Sequence, residues 1–250
     1  MSGYGTDLHD DGNAGPIRPD IIVGCDLGQA RDFTAIAALE QYRPASGSFT
    51  PAPARYDLVH LERMRDTSYV DIVTHVTGLL QAIHDRYTIR QPDYVRRYRP
   101  DYEPTITLVV DATGVGAAVV DLFRRADLPG RMIAVTITGG DAVTRDGNTA
   151  RVPKRDLASS VQVALQSGRL RIAQGLTLAP VLQSELLNFR VKISLTGHDS
   201  YGAGSDWRDN AHDDLVLAVA LALHHGEHGP QGDWAALDEH TIQVLRTWGV

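Results

Sequence analysis

The sequence predicts an α/β protein built on one mixed β-sheet, an antiparallel meander followed by parallel strands, with helices flanking it. Two observations carry this. Three strand-like runs follow one another in the first quarter with only loops between them, which suits an antiparallel meander. Beyond Thr105 the strand-like runs alternate with helical patterns, which implies parallel strands joined by helices packed on the sheet faces. At 250 residues the chain has room for one generous domain or a tight pair.

The elements follow in order. Ile21 to Asp26 is a short apolar run ending in a carboxylate and reads as a buried strand. Phe33 to Tyr42 and Tyr56 to Met64 are the next two strands, joined by the Pro/Ser/Gly-rich stretch Arg43 to Arg55. In Tyr69 to Tyr87, Val70, Val73, Val76, Leu80 and Ile83 recur at helical spacing. Gln91 to Pro104 is a loop rich in arginine and tyrosine, and TITLVVD, Thr105 to Asp111, is a strongly apolar strand. After the turn Ala112-Thr113-Gly114 a helix is expected from about Val115 to Ala126, then a strand over Arg131 to Thr138. Gly139 to Val152 reads as a polar, mobile loop. Pro153 suits the first position of a helix that runs to Ser167 and stops at Gly168. A short strand at Leu170 to Ala173, a helix at Leu178 to Phe189 and a strand at Arg190 to Leu195 come next. After a polar loop, DDLVLAVALALHH, Asp213 to His225, is an apolar helix opening on acids, which suit a helix N-terminus electrostatically. This divides the chain into a mobile arm over 1–19, a folded domain over 20–226 and a tail with a short helix over 227–250.

Composition narrows the function classes. Hydrophobic residues make up 43% and charged residues 22%, as in a soluble globular protein. No apolar run approaches the roughly 20 residues that span a bilayer, and residues 1–19 lack the apolar core of a signal peptide, so no membrane partner is expected. Cys25 is the only cysteine; this excludes an internal disulfide and a cysteine zinc site, and it fits a reducing cytoplasm. The net charge of -7 argues mildly against a protein that holds duplex DNA unaided, because such binding rests on phosphate neutralisation. Cations bound to a carboxylate site soften that objection. So does the clustering of basic residues: Arg86, Arg90, Arg96, Arg97 and Arg99 form one group, and Arg145, Arg151, Lys154 and Arg155 another. Either group also fits a merely solvated loop. Tyr94, Tyr98 and Tyr102 suit packing of their loop onto the domain better than base stacking.

Three acidic positions stand at element ends. Asp26 closes the first strand, Asp111 closes the strand after the first helix, and Asp213 and Asp214 open the late apolar helix. If the first and fourth strands are neighbours, Asp26 and Asp111 lie side by side at one sheet edge. A helix packed on that edge brings Asp213 and Asp214 to the same place. Clustered carboxylates repel and are costly to desolvate unless a cation joins them. Hard oxygen donors favour Mg²⁺ or Mn²⁺. Two such ions about 4 Å apart activate water and stabilise the leaving oxygen in phosphodiester cleavage. Taken singly, each acid also fits a turn former or a helix cap.

These residues resemble a known family. GCDLGQARDFTAI at Gly24 to Ile36, VVDATGVGAAVVDLF at Val109 to Phe123 and HDDLVLAVALAL at His212 to Leu223 look like the three acidic motifs of phage terminase large-subunit nuclease domains. VPKRDLASSVQVALQSGRLRIA, Val152 to Ala173, resembles a further stretch of such sequences. The resemblance spans about residues 20–226. It implies a ribonuclease H-like fold of the RuvC-like superfamily, two divalent ions (Mg²⁺ or Mn²⁺), and cleavage of double-stranded DNA in genome packaging. By the same resemblance Asp26 bridges both ions, Asp111 ligates one, and Asp214, with Asp213 as neighbour or substitute, completes the site. Lys154 is placed to contact a phosphate, with Arg151, Arg155 and Arg145 as further DNA contacts, and His212 beside the ligands in a supporting role. The sequence lacks the G-x-x-x-x-G-K-[ST] phosphate loop of the terminase ATPase, so translocation calls for a separate ATPase or packaging-motor subunit, or a portal, as partner. Three other readings stay open: a Holliday-junction resolvase-like nuclease, an actin- or sugar-kinase-like nucleotide-binding protein using Asp26-Leu27-Gly28 and Thr34, and a catalytically idle docking module of a packaging motor.

Overall fold

The protein is described from a computed structural model covering residues 19–28, 32–43, 53–89, 105–114, 116–195 and 213–229. Eight strands form one sheet in the order β6-β7-β5-β4-β1-β2-β3-β8. They are β1 (Asp20–Asp26), β2 (Thr34–Tyr42), β3 (Arg55–Met64), β4 (Ile106–Asp111), β5 (Arg131–Thr138), β6 (Thr144–Asp146), β7 (Thr149–Pro153) and β8 (Leu170–Ile172). The first three pair antiparallel, while β4 lies parallel to β1, β5 to β4, β7 to β5 and β8 to β3. Only β2 and the edge strand β6 run against the rest. This is the expected mixed α/β sheet: a 3-2-1-4-5 core with its meander on one side and parallel strands on the other.

Among the described residues five helices cover the two faces: α1 (Tyr69–Ile89), α2 (Gly116–Arg125), α3 (Lys154–Gln166), α4 (Ala179–Leu195) and α5 (Asp214–His228). Alternation along the strands divides the core accordingly. Ile21, Val23 and Cys25 of β1 join Val76 and Leu80 of α1 and Phe123 of α2 on one face. Ile22 of β1 and Val109 of β4 join Leu157 of α3, Leu182 of α4 and the whole apolar run of α5 on the other. Every residue from Leu215 to Gly226 is buried, because α5 is packed against the sheet and against α3 and α4 as well. A helix surrounded in this way must be apolar on every side. It also needs a close seat. Gly24 provides one, since a Cβ there would lie 1.9 Å from the carbonyl oxygen of Ala218.

Two expectations are corrected. Gly139 to Val152 is not all loop: β6 and β7 form a hairpin turning at Gly147-Asn148, with Gly147 at φ 53°. Its tip is polar and Ala150 and Val152 are the only buried residues of the stretch, so the alternation is too short to register as strand. Arg190 to Leu195 is not a strand but the last part of α4. The alternation of Phe189, Val191, Ile193 and Leu195 suggested β, yet no glycine or proline interrupts the preceding helix, and extending a formed helix is easier than starting a new element. Gly168 does end α3, at φ 67°. Arg169 and Gly168 donate to the carbonyls of Ala164 and Leu165, the double bond of a Schellman turn. Among the described residues no helix is long and apolar enough to cross a membrane.

Candidate active site

Parallel register brings the first two acids together. Cys25 of β1 is opposite Val110 of β4, so Asp26 and Asp111 occupy matching positions at the same sheet edge. Both fall on the strand face that α5 covers, and both are only 8% exposed. Asp213 is the N-cap residue of α5 and Asp214 its first residue, so the N-terminus of that helix adds two further carboxylates to the cluster. All four acids named from the sequence therefore converge on one place.

The electrostatics follow from this packing. Burial pushes the Asp26 carboxyl well above the usual carboxylate range, and the charges of Asp111, Asp214 and Asp213 push it further. Burial also raises Asp111, against the opposing hydrogen bonds from Thr113 and the charge of Lys154. The Thr113 amide donates to Asp111 Oδ1 at 2.7 Å, so Asp111 is a turn former as well as a member of the cluster. Thr113 Oγ1 accepts from the Ile137 amide at 2.7 Å and ties that turn to β5.

Two basic side chains hold the acids of α5. Lys154 Nζ is 3.3 Å from Asp213 Oδ2, and Arg63 Nη2 is 2.5 Å from Asp214 Oδ2. Arg63 also lies 3.6 Å from Glu185 Oε1 and stacks 3.9 Å from the centre of the Phe33 ring. Glu185, buried on α4, accepts from the amides of Leu215 and Val216 at 3.0 and 3.2 Å. It thereby caps α5, whose own N-cap residue makes no side-chain bond to the helix. Burial raises the Glu185 carboxyl to about 7. Sequence reading missed both Arg63 and Glu185. A signal for Glu185 exists, because it shares the apolar stripe of Leu182 and Phe189 at helical spacing, where an acid needs a partner.

The other basic candidates do not join the cluster. Arg145 donates to the carbonyl of His228, at the far end of α5, about 20 Å from Asp214 for a helix of this length. Arg151 alternates with the buried Ala150 and Val152 and so points to the opposite sheet face. Arg155 grips Asp141, with Nη1 2.7 Å from Oδ1 and Nη2 2.9 Å from the carbonyl oxygen. Lys154 alone of the four stands among the acids. His212, Arg90, Arg96, Arg97, Arg99, Tyr94, Tyr98 and Tyr102 lie outside the described residues.

The donor set suits a divalent cation in chemistry: four carboxylates, oxygen donors only, partly buried. Among the described residues no three acidic, histidine or cysteine side chains stand in a ready ligating arrangement. Lys154 and Arg63 supply the positive charge that an ion would bring.

No family model matches the sequence, and no curated protein does. Solved structures do resemble it. One is the human cytomegalovirus terminase nuclease domain, Mn soaked, at 16% identity over 87% of this chain and 88% of that one, TM-score 0.48. Another is the large terminase nuclease from thermophilic phage G20c, at 17% identity over 82% and 81%, TM-score 0.41. A third is RuvC of Thermus thermophilus, at 14% identity over 85% and 97%, TM-score 0.28.

Proposed function

We propose that this chain is a divalent-metal-dependent endonuclease that cuts duplex DNA on a ribonuclease H-like sheet. The observation that carries this reading is the convergence of Asp26, Asp111, Asp213 and Asp214, from two strands and a helix, on one sheet edge. Four carboxylates crowded beside two basic side chains, Lys154 and Arg63, form an oxygen-donor set suited to a divalent cation. Bound there, two Mg²⁺ or Mn²⁺ ions would supply water activation and neutralise charge on the leaving oxygen.

The residues of the chain divide the remaining work. Asp26 and Asp111, fixed at matching positions by the paired strands, would form the floor of the ion site. Asp214 and Asp213 approach from the N-terminus of α5, whose amides are held by Glu185, so the helix presents them at a fixed height above the sheet. Lys154, paired with Asp213 and 34% exposed, stands beside the acids where its ammonium would meet a substrate phosphate. Phosphate contacts carry no base information, so cutting should show little sequence preference. The substrate would be double-stranded DNA, with a separate ATPase or packaging-motor subunit, or a portal, as the protein partner.

The test is cleavage of supercoiled plasmid by the purified chain in Mn²⁺, Mg²⁺ or EDTA. Nicking or linearisation in either metal, absent in EDTA and in Asp26→Asn, is the expected result. Full activity in Asp26→Asn would remove the assignment.

A further inference from the structure

A second polar site lies away from the acids, where the C-terminal end of α5 meets β5 and the β6–β7 hairpin. It is a cavity of about 80 Å³ with an apolar floor and a polar wall formed by Arg131, Arg145, Asn148, Thr149, His224 and His225. Among the described residues two arginines line it and no carboxylate does. In a chain of net charge -7, that is a local excess of positive charge. Arg131 is oriented by its Nε bond to Thr107 Oγ1 at 3.0 Å, with Nη2 3.5 Å from His225 Nε2. Arg145 comes in from the hairpin and donates to the carbonyl of His228.

Capping the end of α5 explains Arg145 taken alone. It does not explain His224, which is 4% exposed, lines the cavity, and has no hydrogen-bond partner for Nε2. A buried ring nitrogen left unpaired is destabilising, and native structures rarely leave one without a reason. The carbonyls at the end of α5 would repel an anion, yet those of His225 and His228 already accept from Gly229 and Arg145. The cavity has room for one tetrahedral oxyanion.

We propose that this cavity binds a single oxyanion of the phosphate class, free or as the terminal phosphate of a nucleotide chain, held by Arg131, Arg145 and the ring N–H of His224. Bidentate arginine contact with phosphate oxygens supplies the main attraction. The site is independent of the metal-centre reading.

Calorimetric titration of the full chain with inorganic phosphate tests it, at pH 7 in EDTA and at constant ionic strength with chloride. Saturable binding is expected. Arg145→Gln should weaken it about tenfold or more, the loss of one charge-assisted contact. Asn148→Asp should do the same by placing a negative charge at the wall, and because Asn148 is exposed on the hairpin turn this variant keeps the core intact. Absence of saturable binding, or wild-type affinity in both variants, would overturn the proposal. A 5′-phosphorylated dinucleotide added as competitor then separates the sources. Displacement of phosphate supports the proposal with a nucleotide end as ligand, and failure to displace supports it with the free ion.

Discussion

Adding one methyl group at Gly24 should move the acidic cluster. The new Cβ would stand 1.9 Å from the Ala218 carbonyl oxygen and 3.1 Å from the Ala222 amide nitrogen, both backbone atoms of α5. Reaching the 3.0 Å that Cβ atoms keep requires α5 and β1 to separate by about 1.1 Å. Backbone obstacles yield less readily than side chains, so the cost lies near the top of the usual overpacking range, about 3 kcal/mol. For a chain of this size that lowers Tm by roughly 6 to 12 °C. The shift also lifts Asp213 and Asp214 from Asp26 and Asp111. A misplacement of about 1 Å in a reacting constellation reduces rate by about a hundredfold. Urea unfolding and plasmid cleavage measured on Gly24→Ala check both numbers. Gly226→Ala is the control: its Cβ meets Tyr56 Cε1 at 2.6 Å, a side-chain atom at the other end of α5. It should lose stability and keep cleavage per folded molecule. A Gly24→Ala protein within about 0.5 kcal/mol of wild type, and fully active, would show that the helix is not seated on the strand as described.

Three further outcomes are expected. Glu185→Ala leaves two amides of α5 without an acceptor and should cost about 2 to 4 kcal/mol by urea unfolding, while Glu185→Gln, which keeps an acceptor, should cost less; equal losses would remove the capping role. Lys154→Ala should weaken binding of duplex DNA without terminal phosphates and reduce the salt slope by about one ion, whereas Arg145→Ala should leave both unchanged in a fluorescence anisotropy titration. Burial holds His224 and His225 down to about 4, so the unfolded chain takes up protons between pH 6.5 and 4 that the folded one refuses, and their contribution is lost as pH falls through that window. Glu185, raised to about 7, acts in the opposite sense, so the signal is the difference between wild type and His224→Gln: up to about 3 kcal/mol less pH dependence in the variant.

Much of this arrangement was legible in the residues. The apolar runs ending in Asp26 and Asp111 fixed two strands and the face of each acid, because burial and alternation are local signals. The apolar run from Leu215 announced a helix, and its opening acids fell where the strands ended. What stayed hidden depends on contacts between distant segments. Arg63 and Asp214 are 151 residues apart, and nothing near either names the other. Arg145 and Lys154 are close in sequence, yet a hairpin and a strand separate them, so one reaches the far end of α5 and the other its start. The β6–β7 hairpin was too short, and the end of α4 too rich in β-formers, for local pattern to decide.

The central claim is that the four carboxylates form a cation site, and Mn²⁺ titration of the full chain without DNA, followed by calorimetry, tests it most directly. Two bound ions per chain in wild type, with Asp26→Asn and Asp111→Asn each folded and each losing at least one, is the result this account requires. Mn²⁺ binding that is absent in wild type, or unchanged in both variants, would contradict it.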